Sequence, residues 1–593
     1  MAAQRGRHFL FRLMDNITIA RLLDETAALL EVDAADPFRI RSYRRAAEAV
    51  EQQTQNLADI VSDQKKLLAI PGIGKGMAAN ITDLVATGTI PLREELLRKY
   101  RPTMLELLRL PGMGPKTVAL LYSALDISDI DALEAAAKEG KLNTLPRMGE
   151  KFTAKLLKGI EDHRKNTGRL RIDQAQEHAD RIIALIATFP GVTTITPAGS
   201  LRRGRETVGD LDLLVTGPAC EPDVVSAAVD HVAALPLIDK LIAKGQNKVS
   251  FNLRNGLQVD VRLIAPGSYG AALQYFTGSK MHNVSLRQRA LKRGFTLSEY
   301  ALARLDDNTI AAARTEEEIY AALELDYIPP ELRENNGELE AAASHTLPPL
   351  ITRADIRGDV HMHTSETDGT QTIREMAEAA LARGLEYIAI TDHSKNLAMT
   401  NGLNDARALA HVERIREVDA EMKGRIRVFA GIEVDILLDG SLDLEDSTLA
   451  EMDVVIASVH SGFNQPSAEM TARIIRALEN PHTRILGHPT GRKVLRRDPY
   501  ALDLDAVLQR AAELGVAVEH NASPQRADLN DRNLRCAKQF GCKISINTDA
   551  HSFGDMDMMH FGVLQLRRAW LTKDDVINTL GAKEFLKALR PKP

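Results

Sequence analysis

Nine side chains able to ligate transition metals punctuate residues 361 to 551. They are His361 and His363 in Asp-Val-His-Met-His-Thr, Asp368, His393 in Thr-Asp-His, Glu433 in Gly-Ile-Glu, His460, His488, Asp549 and His551. Imidazole and carboxylate hold hydrolytic ions, and a mixed set admits manganese, zinc or iron. The chemistry they would support is metal-assisted attack of water on a phosphoester. A lone histidine is usually a hydrogen-bonded core or surface residue; His8, His163, His178, His231, His282, His345, His411 and His482 are read that way, and His520 as packed. What sets the nine apart is convergence. Nearly every one follows a short apolar run, such as Tyr387–Thr391, Val454–Ser458, Arg484–Gly487 and Lys543–Asn547. Such runs read as buried parallel strands, and ligands at their C-terminal ends meet at one mouth of a barrel.

A different constellation lies upstream. Ala198-Gly199-Ser200-Leu201-Arg202-Arg203-Gly204 is followed by Gly209-Asp210-Leu211-Asp212, and later by Val259-Asp260-Val261. Alternate residues of a strand share a face, so Asp210 and Asp212 can hold the same ions, with Asp260 joining from a second strand. Three carboxylates around two magnesium or manganese ions suit nucleotidyl transfer, in which one ion activates a hydroxyl and the other steadies departing pyrophosphate. Gly199, Ser200 and Arg203 make a triphosphate cradle of backbone amides, a hydroxyl and a guanidinium fork. Asp-x-Asp alone is a weak signal. Joined to Gly-Ser and a third flanked aspartate, it is strong.

Scaffolds must position both sets. From Ile17 to about Arg169 the pattern is helical, as in Ile19, Leu22, Leu23, Thr26, Leu29 and Leu30. Within it Ile70-Pro71-Gly72-Ile73-Gly74-Lys75 recurs as Leu110-Pro111-Gly112-Met113-Gly114-Pro115-Lys116, with a degraded third copy at Leu145–Lys151 in which Arg147 replaces a glycine. Glycines permit a tight hairpin, and amides opening the next helix can hold a DNA phosphate; Gly72, Gly74, Lys75, Gly112, Gly114 and Lys116 are the expected contacts. Residues 1–170 hold 26 Lys and Arg against 22 Asp and Glu, whereas the whole chain carries −6. A mildly basic front end fits a phosphate backbone. Three cysteines, Cys220, Cys536 and Cys542, in 593 residues give no disulfide framework, and no apolar run is long enough to span a membrane. A reducing cytoplasm is the expected compartment.

Gly-Ser-x-Arg-Arg-Gly followed by Gly-Asp-x-Asp resembles the catalytic palm of family X DNA polymerases, the group that includes DNA polymerase beta. Tyr275-Phe276-Thr277-Gly278-Ser279 is similar to that family's sugar-contacting motif. The resemblance implies that Tyr275, Phe276 and Gly278 line the incoming nucleotide. It also implies that Asn283 touches the base's minor-groove edge, that Arg287 meets the template, and that Asp260 is nearest the primer 3′-hydroxyl. Arg171 is a further candidate triphosphate contact. In some members the N-terminal domain is a lyase with a lysine nucleophile one helix after the first hairpin. Here that position is Asn80, and an amide cannot form a Schiff base, so lyase activity is expected to be absent.

The nine-ligand set resembles the PHP (polymerase and histidinol phosphatase) domain, a distorted barrel with a three-metal cluster, and all nine positions match. Glu433 would bridge two ions; Lys395 and Arg526 are candidate phosphate contacts. A polymerase X core followed by a PHP domain is the architecture of bacterial and archaeal family X polymerases. The implied fold is multidomain: a helical helix-hairpin-helix region, an α+β nucleotidyltransferase palm and thumb, and a C-terminal (βα) barrel. The expected divisions are 1–95 and 96–168 (two helix-hairpin-helix domains), 169–266 (palm), 267–330 (thumb), 331–349 (a linker, read from its polar composition and its Pro348-Pro349 end) and 350–593 (PHP).

The activity implied is a monomeric repair enzyme that fills short gaps in nicked or gapped DNA from deoxynucleoside triphosphates. A 3′–5′ exonuclease, or a processing activity on 3′ ends or abasic sites, would sit in the PHP domain. Two rivals stay open. One is a PHP small-molecule phosphatase tethered to an inactive polymerase-like DNA-binding module; the intact Asp210, Asp212 and Asp260 argue against it. The other is a non-catalytic DNA-end binder, which leaves twelve clustered metal-site residues without a reason to persist.

Overall fold

The computed structural model describes residues 16–589 except 52–56, 62, 71, 109, 111, 147, 167, 398 and 399. Pro71, Pro111, Arg147, His8 and the side chain of His163, all considered above, lie outside what is described. The chain divides into two compact units, Met1–Thr167 and Gly168–Pro593.

The first unit is helical. Its first hairpin joins α1 (Gln64–Leu68) to α2 (Lys75–Thr87), and its second joins α3 (Met104–Leu107) to α4 (Pro115–Leu125). Gly74 and Gly114 cap the second helix of each pair in extended conformation, while Gly72 and Gly112 hold φ of +94° and +80°. A Cβ on Gly72 would also stand 3.3 Å from the Arg45 carbonyl oxygen, so glycine is required there for both conformation and space. Ile81, Leu84 and Val85 anchor α2, and Val118 and Leu121 anchor α4, which leaves Lys75 and Lys116 exposed at the hairpins.

The second unit opens with a five-stranded sheet in the order β1 (Thr194–Pro197), β2 (Asp210–Thr216), β5 (Gln258–Ile264), β4 (Lys248–Asn252) and β3 (Lys240–Lys244). Only β2 and β5 run parallel. Leu211, Leu213, Val259 and Val261 point into one core with Ile182 and Val229, and the period of two turns Asp210, Asp212 and Asp260 to the opposite face. Helices α5 (Tyr269–Thr277) and α6 (Lys280–Lys292) and a three-stranded antiparallel sheet follow.

The segment 331–349, expected as a linker, is folded into this unit. Leu332, Arg333, Glu338, Leu339 and Ala342 are buried against Leu286, Ile319 and Tyr320. Its polar composition misleads because its charges are partnered: Glu331 with Arg567, Arg333 with Glu316, Glu334 with Arg203, and Glu338 with His282. Arg333 is fully buried, 2.5 Å from Glu316, which also accepts two bonds from Arg202. Burial works against the Glu316 charge, but Arg333 and Arg202 outweigh it and bring the carboxyl down to about 2. Glu316→Ala strands the Arg333 charge and is expected to cost about 3–5 kcal/mol. Urea unfolding at pH 7, followed by the fluorescence of the single tryptophan, Trp570, which packs on this same core, would report it. The stabilisation is present above the ordinary carboxylate pKa and fades as pH falls through about 2.

The remaining fold is a seven-stranded parallel sheet in sequential order: β6 (Gly358–Asp359), β7 (Tyr387–Ile390), β8 (Arg427–Asp435), β9 (Val454–Ser458), β10 (Ile485–Leu486), β11 (Ala517–Asn521) and β12 (Ile544–Asn547). All but one residue of these strands is buried, as a parallel sheet covered on both faces requires. A bridge between Met362 and Ala550, with the His363 amide donating to the Ala550 carbonyl at 2.8 Å, brings the first strand's end to the last and nearly closes the barrel. Helix α7 (Met559–Arg568) follows the last strand.

Candidate functional site

The C-terminal ends of the barrel strands carry the nine ligands. Glu433 lies within β8, His361 and His363 follow β6 with Asp368 further along the same loop, His393 follows β7, and His460, His488 and the Asp549–His551 pair follow β9, β10 and β12. Glu433, 1% exposed, is the centre. Its carboxylate stands 2.9 Å from His393 Nδ1 and His488 Nε2, 3.4 Å from His361 Nε2 and His460 Nε2, and 3.7 Å from His363 Nε2. Asp549 reaches His363 at 3.1 Å, and Asp368 sits 3.5 Å from His393 and 3.4 Å from His551. Among the described residues three sets have donor atoms mutually within 4.8 Å: His363, Asp368, His393 and His551; His361, His363 and Glu433; and His393, Glu433 and His460. His488 and Asp549 border these sets. The backbone is held in the left-handed region at both of the latter, with φ of 25° and 54°.

The donor atoms fit bound cations. His361 Nε2, His363 Nδ1, His393 Nδ1, His460 Nε2, Glu433 Oε2 and Asp368 Oδ1 are buried without a hydrogen-bond partner, although they crowd one another. Buried polar atoms left so are costly unless an ion lies between them. Burial, with His551 and His393 close by, brings His363 down to about 4, the neutral form that ligation needs. Burial opposes charge on His361, yet Glu519, Glu433 and Asp549 hold its imidazolium well above the ordinary range.

A supporting shell orients these ligands. Glu519 accepts from His361 Nδ1 at 2.7 Å, Asp435 from His460 Nδ1 at 2.5 Å, and Asn521 donates to Asp549 at 3.0 Å. Asp392 accepts from His411, Thr364 and Thr367, pinning the loop between His363 and Asp368. The spacing that marks the nine ligands singles out none of these residues and makes His411 a core histidine. A signal existed. Asp435 lies two residues after Glu433 on one strand, and Glu519 and Asn521 alternate on another, whereas His520 between them turns away to the Leu529 carbonyl. Arg526 reaches Asp549 at 3.2 Å and so borders the cluster, but Lys395 is tied to Asp405 at 3.0 Å.

The palm forms the second centre. Asp212 and Asp260 are direct partners in the parallel register of β2 and β5, and Asp210 stands two residues from Asp212 on the same face. Burial, then the neighbouring Asp210 and Asp260, raise Asp212 to about 7. Burial also works against Asp260, but Ser250 and Lys248, the latter 2.9 Å away, keep it below the ordinary range. A carboxylate trio repelling itself this strongly matches the donor set of divalent ions. Gly199, at φ +56°, starts a single helical turn, Gly199–Arg202, and a Cβ there would stand 2.8 Å from Asp212 Oδ2. Glycine is therefore needed for the turn to approach the carboxylates.

Arg203 donates to the Thr277 carbonyl at 2.5 Å and to Glu334 at 3.1 Å, with Gly278 beside it. Tyr275 and Phe276 meet edge to face with ring centres 5.0 Å apart, and Arg262 lies 4.0 Å over Phe276. Asn283 is buried, accepting from Gln274 and donating to the Tyr275 carbonyl, and Arg287 caps its carbonyl at 3.3 Å. Arg171 is buried and pairs with Asp173 at 2.9 Å. Arg169, not singled out above, is the guanidinium against Gly209, fixed by Thr207.

Comparison with known proteins assigns the parts. The chain matches a helix-hairpin-helix domain over residues 14–90, a SAM-like helix-hairpin-helix tandem over 104–162, the DNA polymerase beta thumb over 272–334, and the PHP domain over 359–548. It is 37% identical over 574 residues to "DNA polymerase/3'-5' exonuclease PolX" of Bacillus subtilis (strain 168), covering 96% of this chain and 99% of that one. A probable phosphatase of Thermoanaerobacter sp. (strain X514) is 32% identical over 247 residues, 40% of this chain and 96% of its own. One of Edwardsiella ictaluri (strain 93-146) is 33% identical over 230 residues, 37% and 89% respectively. The phosphatases match the PHP part alone, whereas the PolX similarity runs from end to end. The chain belongs to the family X DNA polymerases that carry a C-terminal PHP domain, the PolX family.

Proposed function

We propose that this protein fills short gaps in DNA by template-directed transfer from deoxynucleoside triphosphates, and that its PHP domain trims DNA 3′ ends as a 3′–5′ exonuclease. The observation that carries this reading is the coexistence, in one chain similar to PolX throughout, of a palm carboxylate trio and a nine-ligand barrel cluster. At the palm, Asp210, Asp212 and Asp260 would hold two magnesium or manganese ions, which supply charge to a triphosphate and acidify a 3′-hydroxyl. Ser200, the amides of the Gly199 turn and Arg203 orient the phosphates, while Tyr275, Phe276 and Gly278 bound the sugar. Asn283 and Arg287 are assigned to base and template by the family resemblance, which requires the Asn283 carboxamide to exchange its bonds to Gln274 and Tyr275 for the base. At the barrel, the nine ligands would hold manganese, zinc or iron, whose chemistry is water activation and neutralisation of a phosphodiester. Arg526 contributes a fixed cation at that cluster's edge, and Glu519 and Asp435 fix the tautomers of His361 and His460.

The two exposed hairpin lysines and the glycine-capped helices of the first unit are assigned to DNA phosphates. The partners are gapped or nicked DNA, and the enzyme acts as a monomer in the cytoplasm; among the described residues no helix is long and apolar enough to cross a membrane. A labelled primer in a one-nucleotide gap, with magnesium or manganese, tests the reading on a denaturing gel. Extension with dNTPs and shortening without them are expected. Absence of extension under every condition overturns the polymerase assignment.

Asn80 bears on a third activity. It lies on α2 and donates to the Tyr43 hydroxyl at 2.9 Å, in place of an amine nucleophile. Borohydride trapping on abasic DNA is expected to give no covalent adduct. An adduct, mapped to Lys75 or any other lysine, would show that the lyase function is present after all.

A further inference from the structure

Helix α7 belongs to the barrel but has two faces. Met559, Val563 and Leu566 pack into the barrel core, while Phe561 and Leu564 enter the core of the palm. Its palm-facing side meets the nucleotide turn itself. Gln565, buried, donates to the Gly204 carbonyl at 2.7 Å, and a Cβ on Gly204 would stand 3.1 Å from Leu564 Cβ. Arg568, 3% exposed, ends the helix and donates through Nη1 to the Arg203 carbonyl at 2.8 Å and to Glu334 Oε1 at 3.0 Å. Its other nitrogens bond Asp531 at 3.0 and 2.7 Å.

Glu334 Oε1 is thus shared. Arg203 Nε reaches it at 3.1 Å and Arg205 lies 3.8 Å away. A guanidinium owned by one carboxylate presents little net charge to a phosphate, whereas one that shares its carboxylate with another cation retains it. Arg568 arrives with Asp531 as its own counter-charge, so it can engage Glu334 without adding an unbalanced cation to the site.

We infer that Arg568, supplied by the PHP part of the chain, is a positioning residue for nucleotidyl transfer: by sharing Glu334 and holding the Arg203 carbonyl, it keeps Arg203 aimed and charged for the incoming triphosphate. The hydrolytic domain is thereby a structural component of the polymerase site. This inference rests on the reading of Arg203 as a triphosphate contact.

Steady-state gap filling by the full chain tests it. Arg568→Met is expected to raise KM for the dNTP about ten-fold, the order of one weakened charge-assisted contact, with kcat within about two-fold of wild type. Shortening of single-stranded DNA should stay at the wild-type rate. Adding Glu334→Gln to Arg568→Met removes the carboxylate that would otherwise monopolise Arg203, and KM should return toward wild type. A merely structural role would lower kcat and thermal midpoint together, and the second substitution would not restore KM; that pattern overturns the proposal. Should Arg568→Met fail to fold, Arg568→Lys, which keeps the charge without the fork, is read for a smaller rise in KM at constant kcat. An unchanged KM there counts against the proposal equally. Arg203→Ala is the reference. If it leaves KM unchanged, the reading of Arg203 fails; if it raises KM while Arg568→Met does not, only the positioning role fails.

Discussion

Replacing Asp210 and Asp212 together with alanine is expected to abolish extension of a gapped primer, by at least about a thousand-fold, while 3′-end shortening continues at the wild-type rate. Removing a single electrostatic stabiliser of a transition state commonly costs about 100–1000-fold. Here two carboxylates of a three-carboxylate site go at once. Asp260 alone remains, and Lys248 at 2.9 Å already engages it, so it is a poor ligand without its neighbours. The fold should tolerate the change. Asp212 is raised to about 7 by burial and by Asp210 and Asp260, which means that the trio repels itself when no cation is present. Deleting two members relieves that repulsion, and without added metal the variant's thermal midpoint should equal or exceed that of wild type. Residual extension above one per cent would move the catalytic carboxylates elsewhere.

Spacing made both centres legible because each uses the alternation of an extended strand. Asp210 and Asp212 are two apart, Asp260 sits between two valines, and the barrel ligands end short apolar runs; each strand's own residues show where its polar group points. Contacts fixed only by tertiary packing were not legible. Glu519 lies 158 residues from the His361 it supports, and nothing near it in sequence names that partner. Arg169, which stands against Gly209, likewise has nothing beside it in sequence that names that position. The segment 331–349 failed for a related reason. Its charges look like those of a solvated linker until Glu316, Arg203, His282 and Arg567, all from other elements, are brought against them. Composition registers charge but not its compensation.

Glu433→Gln should produce the converse of the aspartate variant, with shortening reduced by about 100–1000-fold or more and gap filling unchanged. The amide keeps the volume of the side chain and removes its charge. Five imidazoles from four strand ends surround this one carboxylate within 2.9 to 3.7 Å, and no other acidic group in the cluster reaches as many. Its loss therefore lowers the affinity of every ion set that contains it, and metal content measured by mass spectrometry on the purified protein should fall with activity. Restoring shortening with excess manganese would place the defect in binding; failure to restore it would place the defect in the chemical step. Gap filling is spared because Glu433 lies on a barrel strand, whereas the polar contacts to the palm come from Gln565 and Arg568 on α7 and from Arg492, which pairs with Glu206. Wild-type shortening by this variant would detach the exonuclease from the barrel cluster. Loss of both activities would mean that the two centres are coupled through the barrel's own ligand shell.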